Sequence, residues 1–122
     1  MTVDNEPDTV ALVKFILEEK GYGVSTATSG IECLKKLEKE KPDLILLDVM
    51  MPDMSGWDVY EKIKKRSKKP KIAFLTVLEA SPERIAKLKK EGIAGYISKP
   101  FTPEELVKQV KSILESLPPL KK

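Results

Sequence analysis

The chain contains a single cysteine, Cys33, so no internal disulfide is available to it. Cys33 falls among the apolar positions of a predicted helix and reads as a small core residue. No apolar run reaches the roughly 20 residues a helix needs to cross a bilayer, and the first residues do not resemble a secretory signal. The expected compartment is therefore the cytoplasm. Side-chain amides are almost missing, with only Asn5 and Gln109, while Lys and Glu are abundant. That composition leans toward a thermophilic source. Aromatic residues make up 6%. None of them interleaves the densest basic run, Lys62 to Lys71, which reads as a solvated helix end and loop rather than a nucleic-acid patch. The chain shows no repeat, no low-complexity tract and no interior linker.

What the chain does have is enough apolar sequence for one core. It has 122 residues, 41% hydrophobic and 34% charged, with a formal net charge of +3. These values describe one globular domain that folds without disulfides. Apolar β-type runs alternate with helical patterns. The strand candidates are Met1–Val3, Tyr22–Ala27, Leu44–Asp48, Ile72–Thr76 and Gly95–Ser98. Leu44 to Leu47 and Ile72 to Leu75 are continuously apolar, as in strands buried on both faces of a parallel sheet. Between them, Pro7 suits the first turn of a helix that runs to about Lys20 and ends at Gly21. Ser29 caps a second helix, expected to bury Ile31, Leu34 and Leu37. Ser55 and Gly56 precede a third, with Trp57, Tyr60 and Ile63 spaced for one face. Ser81-Pro82-Glu83 opens a fourth, with a thin apolar face of Ile85 and Leu88. Thr102-Pro103-Glu104-Glu105 is a capping box that opens a fifth, carrying Leu106, Val110, Ile113 and Leu117 and stopped by Pro118-Pro119. The domain is expected over residues 1–117, with 118–122 as a tail.

Strict βα alternation predicts parallel strands, right-handed crossovers and a doubly wound α/β sheet. Ligands of such sheets bind beyond the carboxyl ends of the strands. The residues there are Asp4 and Asn5, Asp48, Thr76 and Lys99. Taken singly, each has an ordinary reading: a turn acid, a loop cap, a strand-end hydroxyl, a solvated lysine. Together they gather carboxylate and amide oxygens, a hydroxyl and an ammonium at one edge. Oxygen donors of this kind suit a hard divalent cation such as Mg2+. An Asp oxygen beside Mg2+ and a lysine is equipped as a nucleophile toward phosphorus.

The motifs at these positions resemble those of response-regulator receiver domains. Val3-Asp4-Asn5-Glu6-Pro7 is similar to their acidic first turn. The run from Asp48 through Met51-Pro52 to Gly56 is similar to their D-x-x-M-P-x-x-x-G loop. Leu75-Thr76 and Lys99-Pro100-Phe101 resemble the remaining two motifs, and the match extends over nearly the whole chain. The resemblance implies a flavodoxin-like, CheY-like fold: five parallel strands in the order 2-1-3-4-5 with helices on both faces. It implies that Asp48 is the phosphoacceptor and that Lys99 contacts the phosphoryl group. It further implies that Thr76 and Tyr96 relay the switch, and that Asp4, Asn5, Asp48 and the backbone carbonyl of Met50 hold Mg2+. The Lys99–Pro100 bond is often cis in such domains. The partners implied are a histidine kinase or phosphotransfer protein and a downstream target or output domain. Neither direct nucleic-acid binding nor a membrane is expected, and the chain is expected to be a monomer or weak dimer.

The sequence departs from the family pattern at several positions. Asn5 stands where a second acid is usual, which removes one negative charge from the metal site. A unit-charge pair near 4 Å is worth about 1 kcal/mol in water and roughly 4 at an effective dielectric of 20. Mg2+ is then held roughly tenfold or more less tightly. The first strand is short against the roughly 5–6 residues typical of strands. Val77 replaces a small residue, and Ile93-Ala94-Gly95-Tyr96 lacks the paired acids of many DNA-binding regulators. Met50 and Leu78 are apolar where a hydrolytic water would approach, so at most slow self-phosphorylation and self-dephosphorylation are expected, without turnover as an enzyme. A haloacid-dehalogenase-like phosphohydrolase would want an acid at Met50 and a cap domain. A flavodoxin-like cofactor binder would want a phosphate cradle, not the acidic Asp4 to Asp8. The competing function is a degenerate receiver that binds partners independently of phosphorylation.

Overall fold

The structure is a computed structural model that describes residues 1–66 and 69–116. Five strands and five helices alternate along the chain: β1 (Thr2–Val3), α1 (Pro7–Glu18), β2 (Thr26–Ala27), α2 (Gly30–Lys36), β3 (Leu44–Leu47), α3 (Gly56–Lys64), β4 (Lys71–Thr76), α4 (Pro82–Lys90), β5 (Gly95–Ser98) and α5 (Pro103–Glu115). All the strands are parallel and lie in the order β2-β1-β3-β4-β5. This is the doubly wound sheet expected from the alternation.

The two faces of the sheet explain the apolar runs. Every residue of β3 is buried. Ile45 and Leu47 face the core that holds Cys33, Val59, Ile63 and Phe74. Leu44 and Leu46 face the opposite core, with Val13, Leu106, Val110 and Ile113. Full burial of such a side chain contributes about 1.5–3 kcal/mol. Phe74 anchors the first core through three aromatic contacts, to Trp57 at 4.6 Å and to Tyr60 and Tyr96 at 6.3 Å each. On the other side, the Lys71 ammonium donates to the carbonyls of Ile113 at 2.8 Å and Ser116 at 2.7 Å. A cation thus satisfies the free carbonyls that end α5.

The helix starts follow their capping residues. Ser29, Ser55, Ser81 and Thr102 each accept a backbone N–H from the first turn, and Ser55 and Thr102 complete capping boxes with Asp58 and Glu105. Two expectations need correction. Ile31 is half exposed, not buried. The buried stripe of α2 runs instead through Gly30 and Cys33, with Leu34 and Leu37 partly covered. Gly30 heads that stripe because a Cβ there would stand 2.6 Å from Met54 and 2.9 Å from Val59. The second strand is only Thr26–Ala27 rather than Tyr22–Ala27. Its ladder partner β1 begins at Thr2, opposite Thr26, so residues 22–24 have no neighbouring strand to pair with. Leu117, Pro118-Pro119 and the boundary between 117 and 118 lie outside the described residues, as does the middle of the basic run.

Candidate functional site

Among the described residues four polar side chains are buried: Thr2, Asp4, Asp48 and Thr76. Three of them stand at the carboxyl edge of the sheet, just past β1 and β3 and at the end of β4. A buried carboxylate is costly unless paired and hydrogen-bonded, and both are. Asp4 Oδ1 accepts the Glu6 N–H at 2.9 Å, and Asp48 Oδ1 accepts the Met50 N–H at 3.1 Å. The Lys99 ammonium bridges the second oxygens, donating to Asp4 Oδ2 and, at 3.2 Å, to Asp48 Oδ2. Burial works to lower the Lys99 pKa, but the hydrogen bond it donates to Asp4 and the charge of Asp48 outweigh it and hold it above the ordinary lysine range. Lys99 is delivered by β5, and its peptide bond to Pro100 is cis.

The loop after Asp48 folds back on itself. Gly56 N–H donates to the Val49 carbonyl at 2.8 Å. A Cβ at Gly56 would lie 2.3 Å from the Asp48 carbonyl oxygen and 2.8 Å from Val49 Cα. Only glycine lets the start of α3 close the loop so tightly. Farther along the loop, the Asp53 carboxylate accepts the Gly30 N–H at 3.2 Å and the Ile31 N–H at 3.0 Å. These bonds, that from Ile31 foremost, hold its pKa below the usual carboxylate value.

Thr76 and Tyr96 meet on the backbone of one residue. The Leu78 N–H donates to Thr76 Oγ1 at 3.3 Å, and the Tyr96 hydroxyl donates to the Leu78 carbonyl at 2.6 Å. Burial raises the Tyr96 pKa above the ordinary tyrosine value. Met50, Val77 and Leu78 are each exposed apolar side chains. Asn5 is exposed in the turn directly after Asp4.

The structure therefore brings Asp4, Asp48 and Lys99 into direct contact and links Thr76 to Tyr96 through Leu78. Asn5 and Met50 flank the acids. Sequence reasoning missed Asp53 and the Leu78 peptide. Asp53 meets its partners more than 20 positions away in sequence, and Leu78 acts only through its backbone, so neither leaves a local signal. Asp4 and Asp48 offer the carboxylate oxygens that a hard ion takes, while among the described residues no three His, Cys, Asp or Glu side chains gather as a metal site.

An open parallel sheet in the order 2-1-3-4-5, with a paired-acid and lysine cluster beyond its central strands, is a flavodoxin-like α/β fold. More specifically, the chain belongs to the response-regulator receiver domain family of two-component systems, whose family model matches residues 1–111. It is 40% identical over 114 residues to the alkaline phosphatase synthesis transcriptional regulatory protein PhoP of Bacillus subtilis, covering 93% of this chain and 47% of that protein. The chain spans about half the length of the curated transcriptional regulators it matches. The CheY-like receiver domain from Methanospirillum hungatei superposes with a TM-score of 0.82 at 34% identity, covering 93% of this chain and 90% of that one. The response regulator TrrA of Thermotoga maritima, solved in complex with Mg(2+)-BeF, superposes at 0.76 with 38% identity over 92% and 95% of the two chains. Among the described residues no helix is long and apolar enough to cross a membrane.

Proposed function

We propose that the chain is a phosphorylation-dependent switch. Asp48 accepts a phosphoryl group from a histidine kinase or phosphotransfer protein, and the surface offered to a downstream target or output domain then changes. The observation that carries this reading is the buried Asp48 carboxylate at the open end of β3, held 3.2 Å from the Lys99 ammonium. In the transfer an Asp48 oxygen attacks phosphorus. The O–P bond forms, the P–N bond to the donor imidazole breaks, and its electron pair leaves with the nitrogen. Lys99, already oriented by Asp4, neutralises the incoming phosphoryl oxygens. Asp4, Asp48, the Asn5 amide oxygen and the Met50 backbone carbonyl would hold Mg2+, which supplies further charge neutralisation there.

The readout runs through Leu78. A phosphoryl oxygen that accepts from the Thr76 hydroxyl draws on the same Oγ1 that accepts the Leu78 N–H, and Tyr96 holds the Leu78 carbonyl. The β4–α4 loop is thus coupled to the site by two hydrogen bonds. The Met50, Val77 and Leu78 side chains offer no group to orient a hydrolytic water, which favours a slow return and a signalling role without catalytic turnover. We assign the receiver domain to residues 1–117 and a tail to 118–122, in a cytoplasmic monomer or weak dimer. This chain itself contacts neither nucleic acid nor membrane; in a longer protein any contact with DNA would belong to another domain. Asn5 favours a second reading, a receiver that binds partners without phosphorylation, because it weakens the metal site.

The test is incubation with Mg2+ and a phosphohistidine or small acyl-phosphate donor. The expected result is one acid-labile, hydroxylamine-sensitive phosphoryl group, lost in Asp48→Asn. Undiminished labelling of that variant, or no labelling of the parent at saturating Mg2+, would overturn the switch; the latter supports the second reading.

A further inference from the structure

The loop between Asp48 and Ser55 reads Val49-Met50-Met51-Pro52-Asp53-Met54, and Asp53 is its one polar side chain. We propose that Asp53 is a positioning residue for phosphoacceptance. By fastening the middle of this loop to the first turn of α2, it fixes the Met50 backbone and, through it, the Asp48 carboxylate. The inference rests on Asp48 being the phosphoacceptor.

The chain of contacts is short. Met50 N–H donates to Asp48 Oδ1 at 3.1 Å, while Lys99 donates to Asp48 Oδ2 at 3.2 Å. These two donors set the rotation of the carboxylate, and so the direction in which an Asp48 oxygen meets phosphorus. Lys99 is held in turn by Asp4. The Met50 side chain is exposed, so the place of its N–H depends on the rest of the loop. On one side the loop is closed by Gly56 N–H on the Val49 carbonyl at 2.8 Å and by the burial of Met51. On the other it is held by Asp53, whose carboxylate accepts the Gly30 N–H at 3.2 Å and the Ile31 N–H at 3.0 Å. Pro52 lies between, and its ring locks φ, which stiffens the link from Asp53 back toward Met50.

Capping of α2 does not by itself account for Asp53. Ser29 already serves that helix: its hydroxyl accepts the Glu32 N–H and its carbonyl the Cys33 N–H, both at 3.0 Å. The other two first-turn donors, Gly30 and Ile31, could be met by water or a local side chain. The acid that takes them comes instead from 23 and 22 positions away, out of the phosphoacceptor loop. The approach is close, because a Cβ at Gly30 would stand 2.6 Å from Met54 Cγ. The residue after Asp53 thus packs directly on the α2 backbone. That helix is a firm base, since Cys33 is fully buried in the core.

The experiment compares Asp53→Ala and Asp53→Asn with the parent. It follows the rate at which acetyl phosphate, with Mg2+, phosphorylates Asp48 and leaves as acetate, together with amide hydrogen exchange and melting temperature. For Asp53→Ala the expected results are phosphorylation slower by about tenfold and a melting temperature lower by only about 4 °C. Exchange at Met50 should accelerate more than at Val13, which is buried in the opposite core. Asp53→Asn keeps an oxygen acceptor without the charge and should recover most of the rate. Charge alone predicts the reverse: removing a negative charge favours an anionic donor, so both variants would be faster. A parental or higher rate in Asp53→Ala, no selective change at Met50, or an Asp53→Asn as slow as Asp53→Ala would overturn the inference while leaving Asp48 as phosphoacceptor. A parent that takes no phosphoryl group would defeat the phosphoacceptor reading and this inference together.

Discussion

The two edges of the sheet solve the problem of a strand end in different ways. At the carboxyl edge, β1, β3, β4 and β5 end in polar side chains that satisfy one another: Asp4 and Asp48 share Lys99, and Thr76 holds Leu78. No buried side-chain polar atom there, or elsewhere among the described residues, lacks a partner. At the amino edge the Met1 ammonium donates to the Leu44 carbonyl at 2.8 Å, beside a cleft bordered by Glu40, Lys41 and Asp43. The difference separates what packing builds from what chemistry needs. The carboxyl edge concentrates buried charge at a cost to stability, and that cost is a reason to regard it as the working edge. At the amino edge the one such charge among the described residues is the Met1 ammonium, whose pKa burial lowers.

The comparison can be broken most severely at Gly56. Gly56→Ala places a methyl against backbone atoms of Asp48 and Val49 that have no side-chain freedom to yield. A loss of about 3 kcal/mol is expected in urea unfolding, with the phosphoacceptor loop displaced. A change under 1 kcal/mol would mean that the loop is soft.

Lys99→Met should cost about as much, near 3 kcal/mol, because it leaves two buried carboxylates without their cation. The sign with pH follows from the raised Lys99 pKa. The stabilisation is complete below the ordinary lysine value of 10.5 and is lost as pH rises through the higher folded value. The gap between parent and variant should therefore stay level from neutral pH to about 10 and close only above it. A gap already closing at pH 8 would contradict the pairing.

Asn5→Asp sharpens the comparison by adding charge only to the working edge. Mg2+ should bind about tenfold tighter, read by calorimetry or by Trp57 fluorescence. Unchanged affinity would remove Asn5 from the ion's surroundings. The smallest effect is expected at Asp53, which ties the loop to the start of α2. Asp53→Ala should cost about 1 kcal/mol, the usual worth of a capping group. Since the Asp53 pKa is depressed, this contribution is present above the ordinary carboxylate value and fades as pH falls through the lower folded value. Parent and variant should therefore converge in acid below about pH 4.

The sequence made the frame legible because its signals are local. Ser29, Ser81 and Thr102 cap the helices they were expected to cap, Ser55 caps the helix it was expected to precede, and the continuous apolar run of β3 is buried on both faces. The site was legible as a set of strand ends, since parallel topology alone brings Asp4, Asp48, Thr76 and Lys99 to one edge. What escaped depends on partners remote in sequence. The length of β2 is set by where β1 begins, not by the β propensity of Tyr22 to Val24. The exposure of Ile31 follows from Gly30 and Met54 fitting together across the loop. The joint at Leu78 uses only its N–H and C=O, which every residue but proline has.

The central claim is that Asp48 itself takes the phosphoryl group, and reductive trapping addresses it most directly. Borohydride reduces an acyl phosphate to an alcohol, so a phosphorylated Asp becomes homoserine. After exposure to a phosphodonor with Mg2+, mass analysis of the peptides should find homoserine at position 48 and nowhere else. Homoserine at Asp4 or Asp53, or phosphoprotein that yields none at position 48, would contradict the account.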